Sequence, residues 1–180
     1  MGKLFFPRKP NKFASIAFIS MFVIGFVGKH FNKAHTTATI QNKITNVVEV
    51  KTVKPKFADI NCLSDDIYYE ASTQSMAGQI AVGEVVLNRV KSLDFPKTVC
   101  KVIWQHCQFS WTCSPNRRPI DKHSTSWKNA QSVARMLLAN TNMVDITNGA
   151  IAYHTVTSHP SWSRKMHRVM RIDQHVFYKI

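Results

Sequence analysis

The segment from Met76 to Val90 constrains this chain more than any other. Ile80, Gly83, Leu87 and Val90 fall on one helical stripe, and Val82, Val85, Val86 and Arg89 widen it. A helix of this kind has little face left for water, so other elements must wrap it. Gly78 and Gly83 each cost helix propensity, ~1 kcal/mol relative to Ala, which points to close packing at both positions. Glu84 lies beside the stripe with Asn88 four residues on. It reads as a carboxylate hydrogen-bonded within the core, with a second catalytic carboxylate as the rival reading.

The stretch before this helix, Cys62 to Ala71, holds the carboxylate of greatest interest. Ser64-Asp65-Asp66 has the form of a helix start, a hydroxyl cap followed by two acids at the positive end of the macrodipole. A helix beginning there puts Glu70 in its second turn, beside the face that Leu63 and Ile67 turn inward. A surface glutamate without a role is the bland reading of any lone Glu. Glu70, however, sits among Tyr68, Tyr69 and Ala71. A carboxyl sheltered by aromatic surface loses hydration of its charged form, so its pKa rises and it can serve as a general acid.

Several blocks occur together: Ile67-Tyr-Tyr-Glu-Ala71, Gly78 to Val90, Phe95-Pro-Lys-Thr-Val-Cys100, Cys107-Gln-Phe-Ser-Trp-Thr-Cys113, Gly149-Ala-Ile-Ala-Tyr-His154 and Ile172-Asp-Gln-His-Val-Phe-Tyr178. In this order they resemble the SleB-type cell wall hydrolase family, which includes spore cortex-lytic enzymes. The resemblance spans roughly residues 60 to 180. It implies an α+β fold, a mainly helical lysozyme-like or lytic-transglycosylase-like domain with a small C-terminal β-hairpin. It also implies that Glu70 is the catalytic acid, with Tyr69 beside it in the groove, that Glu84 is scaffold, and that Tyr153 and His154 line the substrate groove. The chain departs from the family where Ser72 stands in place of an Arg after the Glu-Ala pair, and where its C-terminal turn carries less Gly.

At the start of the chain, Lys3, Arg8, Lys9 and Lys12 precede a charge-free run, Phe13 to Val27. A basic flank before an apolar run is the organisation of a signal peptide or a signal anchor, with the basic end in the cytoplasm. At about 1.5 Å per residue the run reaches only ~22 Å, short of the ~30 Å hydrocarbon core, so it is a weak membrane span. No clean small-x-small cleavage site follows it. Residues 1–28 are therefore expected to form a basic tail and inner-membrane anchor, residues 29–59 a polar tether, and residues 60–180 the catalytic domain outside the membrane. Val47 to Val53 alternates like a lone strand until Pro55 ends it.

With 24 Lys and Arg against 10 Asp and Glu, the net charge of +14 calls for an anionic partner, whether nucleic acid, a membrane surface or an acidic wall polymer. The resemblance selects peptidoglycan glycan strands over nucleic acid. Four cysteines in an exported chain form an even set for which three pairings exist. The resemblance implies Cys62 with Cys100, stapling the start of the Glu70 helix to the loop after Pro96, and Cys107 with Cys113, closing a small loop. Zinc is the competing use of these cysteines, since His106 adjoins Cys107. The chain has no Cys-x-x-Cys and no His-x-x-x-His pair, so neither a metal nor any other cofactor is expected.

Gln108, Ser110 and Trp111 read as groove residues, an amide and a hydroxyl for sugar substituents and a ring on which a pyranose can stack, whereas Phe109 reads as core. Trp162 offers a second stacking ring. Trp127, Ala130, Val133, Ala134, Leu137 and Leu138 mark a scaffold helix ending near Asn140. Arg168 to Tyr178 reads as a hairpin turning at Asp173-Gln174.

A two-carboxylate glycosidase needs partners roughly 5 to 9 Å apart, and only Glu70 has a convincing setting for such a role. One carboxylate suits a lytic transglycosylase, which cleaves between N-acetylmuramic acid and N-acetylglucosamine and closes a 1,6-anhydro ring. A bacterial wall-remodelling enzyme or a viral endolysin would both fit, the latter with a marginal anchor that lets go. Two other classes stand beside this reading: a zinc-dependent peptidoglycan amidase or peptidase, and a non-catalytic basic binder of wall polymer or nucleic acid.

Overall fold

The computed structural model describes residues 54–140 and 142–180. The expected anchor, most of the expected tether and the alternating Val47 to Val53 lie outside the described residues. Among the described residues, no helix is long and apolar enough to cross a membrane. Four helices come first: α1 (Phe57–Ala71), α2 (Met76–Lys91), α3 (Val99–Ile103) and α4 (Thr125–Ala139). Strands β1 (Ala152–Thr155), β2 (His167–Ile172) and β3 (His175–Lys179) follow, and short 3-10 turns cover Ser110–Cys113 and Ser161–Lys165.

Helix α1 starts at Phe57, so residues 57–59 of the expected tether are helical and Ser64 is not its cap. Ser64 is fully buried inside the helix, and its hydroxyl donates to the Ile60 carbonyl at 2.7 Å. The Ser-Asp-Asp pattern misled because a serine can satisfy itself on the preceding turn as readily as it caps a new one. Ile60, Leu63 and Ile67 continue one apolar face through it, and that burial outweighs the capping signal.

Helix α2 is wrapped as its composition requires. Its most deeply buried positions are Ala81, Val82, Val85, Val86 and Arg89, whereas Ile80, Leu87 and Val90 are only partly buried. The reason is that α2 is covered on two sides. Val86 faces a core with Leu63, Ile67, Val102 and Leu137 from the other helices, while Ala81 and Val85 pack on Ala150 and Phe177 from the sheet region. A Cβ on Gly83 would lie 2.5 Å from Leu137 Cδ1 and 3.2 Å from Ile67 Cδ1, so the glycine lets α1 and α4 close on α2.

Gly78 serves a different neighbour, since its Cβ would meet Asp173 Oδ2 at 2.6 Å. Asp173 sits at positive φ in the β2–β3 turn and accepts from both the Ser75 backbone N–H (2.9 Å) and the Ser75 hydroxyl (2.6 Å). Ser75 in turn caps α2 by accepting from Gly78 N. The hairpin tip is thus clasped to the start of the central helix. These bonds hold the Asp173 carboxyl below its ordinary range.

The sheet has the order β1–β3–β2, antiparallel throughout, with a bulge between Arg168 and Met170. The expected hairpin is present, and β1 adds a third strand that leaves β3 central with four consecutive buried residues. Glu84 fixes the turn that leads into β1, because its two oxygens accept from Ile146 N and Thr147 N, both at 3.1 Å. Asn88 donates to Asp145, Thr147 and Ala150 in the same knot. Burial, reinforced by the bond to Asp145, pushes the Glu84 carboxyl up to about 7. Asp145 resists its own partial burial through bonds from Thr147, Glu84, Gly149 and Asn88, and sits at about 2.

Cys62 pairs with Cys100, and Cys107 with Cys113. The first bridge joins the middle of α1 to α3, not the start of a helix to a loop. Cross-linking removes more entropy from the unfolded chain when the closed loop is longer. The sequence separations are 38 and 6 residues. Replacing Cys62 and Cys100 by Ser should lower the unfolding free energy by about 4 kcal/mol, against about 2 kcal/mol for Cys107 and Cys113. Urea unfolding of both variants checks the order, and equal costs would contradict it.

Candidate active site

Glu70 lies on the last turn of α1 and lines a hollow of about 270 Å³ together with residues of α2, the loop after α3, β1 and the segment that follows it, and β3. Arg89 of α2 and Phe109 form its base. Gln108 and Ser110 come from the loop that the Cys107–Cys113 bridge closes, and Tyr153 and His154 from β1. Trp162 and His175 complete the far wall. Six of the residues singled out in the sequence, Glu70, Gln108, Ser110, Tyr153, His154 and Trp162, therefore line one cavity. Among its lining residues Glu70 is the single carboxylate.

The electrostatics of Glu70 are set by opposing effects. Burial raises its pKa, while the Tyr153 hydroxyl and the charge of Arg89 favour the ionised form and hold the rise in check. The Tyr153 hydroxyl is buried without a partner of good hydrogen-bond geometry. Its interaction with Glu70 is a loose one. Arg89 is 3% exposed, donates from Nε to the Ile151 carbonyl at 2.7 Å and lies over the Phe95 and Phe109 rings.

Asp66, one helical turn before Glu70, is fully buried and accepts from Trp111 Nε1 at 3.2 Å. Burial, and then the neighbouring Glu70 charge, drive its pKa well up, against the Trp111 bond and Arg89. Asp66 has no path to a ligand and serves as a support. Sequence reading missed both Asp66 and Arg89 as site members. The available signals were a charged residue inside an otherwise apolar stripe, and an acid at i−4 from Glu70 on the same helical face.

His175 was also passed over, although on β3 it alternates onto the same face as Phe177. It is 3% exposed with Nδ1 unpartnered, sits edge-on to the Tyr153 ring, and burial lowers its pKa. His154 is better satisfied, pairing through Nδ1 with the Thr155 carbonyl (2.8 Å) and through Nε2 with the Tyr178 hydroxyl (2.9 Å). Its ring meets Trp162 edge to face.

Trp111 differs from the open sugar platform expected of it. It is 7% exposed, and one face stacks on Tyr69 with ring centres 4.7 Å apart. Tyr69 and Trp111 instead shape a second hollow, which meets the first at Ser110 and also takes in Ser114, Arg117 and Arg118. Trp104, half-exposed and edge-on to Trp111, was not anticipated in the sequence. All four cysteines are consumed by disulfides, so they offer no thiolate to zinc. Among the described residues no group of three or more His, Cys, Asp or Glu could hold a metal ion.

A model of the cell wall hydrolase family matches residues 73–178 of this chain, a stretch that begins three residues after Glu70. A spore cortex-lytic enzyme of Bacillus cereus is 31% identical over 142 residues, covering 77% of this chain and 49% of that protein. One from Halalkalibacterium halodurans is 28% identical, covering 76% and 40%. The chain thus spans half the length, or less, of these curated relatives. The crystal structure of the catalytic domain of the Bacillus cereus SleB protein superimposes with a TM-score of 0.56 at 27% identity, covering 69% of this chain and 92% of that one. The catalytic domain of the germination-specific lytic transglycosylase SleB from Bacillus anthracis gives 0.51 at 26%, covering 69% and 96%.

The pull of Tyr153 on Glu70 can be measured without any substrate. Tyr153→Phe removes a donor that favours the carboxylate, so the Glu70 pKa should rise further. A carbon-detected NMR titration of the glutamate carboxyls reads this directly. An unmoved or lower midpoint would refute the assigned interaction.

Proposed function

This chain belongs to the cell wall hydrolase family, and from that premise we propose that it cuts peptidoglycan glycan strands as a lytic transglycosylase with Glu70 as its acid and base. The bond cleaved is the β-1,4 link between N-acetylmuramic acid and N-acetylglucosamine. The observation that carries this reading is the solitude of Glu70, since no second carboxylate lines the hollow and Asp66 and Glu84 are both sequestered. A mechanism that needs two carboxylates on opposite sides of the sugar has no second partner there.

With one carboxyl the steps balance as follows. Glu70, whose acid form burial favours, gives its proton to the glycosidic oxygen as the bond from C1 breaks, and the sugar's acetamido carbonyl stabilises the cation left at C1. Glu70, now a carboxylate, takes the proton of the C6 hydroxyl as O6 bonds to C1. The products are a free 4-hydroxyl and a 1,6-anhydro ring, with no water consumed. One group acting in both directions needs a pKa that is neither low nor extreme. The balance of burial against Arg89 and Tyr153 supplies that compromise. Gln108, with its amide nitrogen and oxygen both buried and unpartnered, is placed to pair with a sugar amide. Trp162 is the ring available for a pyranose face.

For the chain before the domain the support is the sequence alone. The basic residues 3–12 and the apolar run 13–27 make it a membrane-tethered enzyme facing the wall. Fractionation tests this: full-length protein should stay in the membrane pellet, whereas a shortened soluble form would overturn the tether.

Glu70→Gln should lower turnover at least ~10²-fold with the fold intact, the usual scale for losing a general acid. Mass analysis of digested peptidoglycan decides the chemistry. Anhydro-sugar ends are expected. Reducing sugar ends would replace transglycosylation by hydrolysis, and cleaved amides would move the reading to an amidase. Undiminished wall clearance by Glu70→Gln would remove Glu70 from the mechanism.

A further inference from the structure

The second hollow, about 430 Å³ and joined to the first at Ser110, has a composition that glycan binding alone does not call for. Its walls include Arg117 and Arg118, both exposed, on the basic turn Ser114 to Pro119. The Arg117 guanidinium lies over three rings at once, 5.9 Å from Tyr69, 5.7 Å from Trp104 and 5.6 Å from Trp111. The turn itself is pinned, because the Tyr69 hydroxyl donates to the Arg118 carbonyl at 2.6 Å and the Cys107–Cys113 bridge anchors its start. Among the described residues, neither guanidinium donates a hydrogen bond to a protein acceptor. Rings hold the flat of Arg117 and leave its N–H edge, the part that grips a carboxylate in a two-pronged pair, without a protein partner. Asp65 faces Arg117 and Lys122 from α1 and offsets one of the three positive charges, so the patch keeps a net positive charge.

We propose that this hollow is a subsite for a carboxylate of the stem peptide that peptidoglycan carries on its muramic acid residues, making the enzyme selective for peptide-bearing strands. The proposal rests on the glycan-cutting reading of the first hollow, since Ser110 borders both a sugar-sized site around Glu70 and this cationic one. A substituent projecting from a sugar in the first hollow reaches the second across Ser110. The guanidinium pair orients the strand and contributes to binding, while Glu70 does the chemistry.

The test is calorimetric binding to the full chain carrying Glu70→Gln, with a peptide-bearing glycan tetrasaccharide and the same molecule with its peptide carboxylates amidated. The anionic form should bind at least ~10-fold more tightly, the scale of one charge-assisted pair. Raising the salt should narrow that difference, because the pair is exposed. Arg117→Gln with Arg118→Gln should abolish the preference. Arg118→Gln alone, which leaves the ring stack untouched, should reduce it, and Arg117→Lys should restore only part because the fork is lost. Equal binding of the two ligands, failure of both to bind, or wild-type preference in the double variant would overturn the subsite. Product analysis of the parent enzyme stands apart from this. Preferential binding without anhydro-sugar release would sink the transglycosylase reading and leave the subsite standing.

Discussion

A full positive charge inside the domain, that of Arg89, is the feature on which the rest of the site depends. An isolated buried cation is costly, and it persists only where partners compensate for lost water. Here the compensation is shared among the Ile151 carbonyl, the faces of Phe95 and Phe109, and the fields of Asp66 and Glu70. Each partner sits on a different part of the fold, namely the approach to β1, the loops after α2 and α3, and helix α1. Satisfying one guanidinium therefore requires the helical half and the sheet to meet in one register. The residue that orders the interior also supplies the charge that moderates the acid at its edge.

The same economy appears at the hairpin. Asp173 ties the β2–β3 turn to Ser75 at the start of α2, and Glu84 and Asn88 tie the approach to β1 to the middle of that helix. Both clasps place β1 and β3 against α2, and these are the strands that bring Tyr153, His154 and His175 to the hollow. Polar residues buried on this helix are held by what they bind elsewhere in the domain, so Glu84, Asn88 and Arg89 become its joints.

Much of this was legible in the sequence because it follows from short-range rules. The burial of the Met76–Lys91 helix, the α4 stripe, the hairpin turning at Asp173-Gln174 and the sheltered character of Glu70 all follow from spacing and neighbour type. The misses share one cause, which is that a local signal has two physical outcomes and only tertiary contacts choose between them. Ser64 had the form of a cap and became a buried hydroxyl bonded to the preceding turn. Trp111 was expected as an open platform, and instead Tyr69 took its face and Asp66 its N–H. Arg89 read as the edge of an apolar stripe, and nothing within its own helix shows that two acids from α1 lie beside it.

Glu70 and Glu84 show why a raised pKa does not by itself identify a catalytic acid. Burial lifts both, and Glu84 reaches about 7, a value that would suit proton transfer well. Yet each oxygen of Glu84 already holds a backbone N–H, so any ligand would have to break the turn that carries β1. Glu70 is also raised by burial but lies open to a cavity, with a loosely aligned phenol and a buried cation as its counterweights. What separates the two is whether the protein's own donors have claimed the carboxyl oxygens. Where they have, the raised pKa records burial within a structural knot; where they have not, it is available to a substrate.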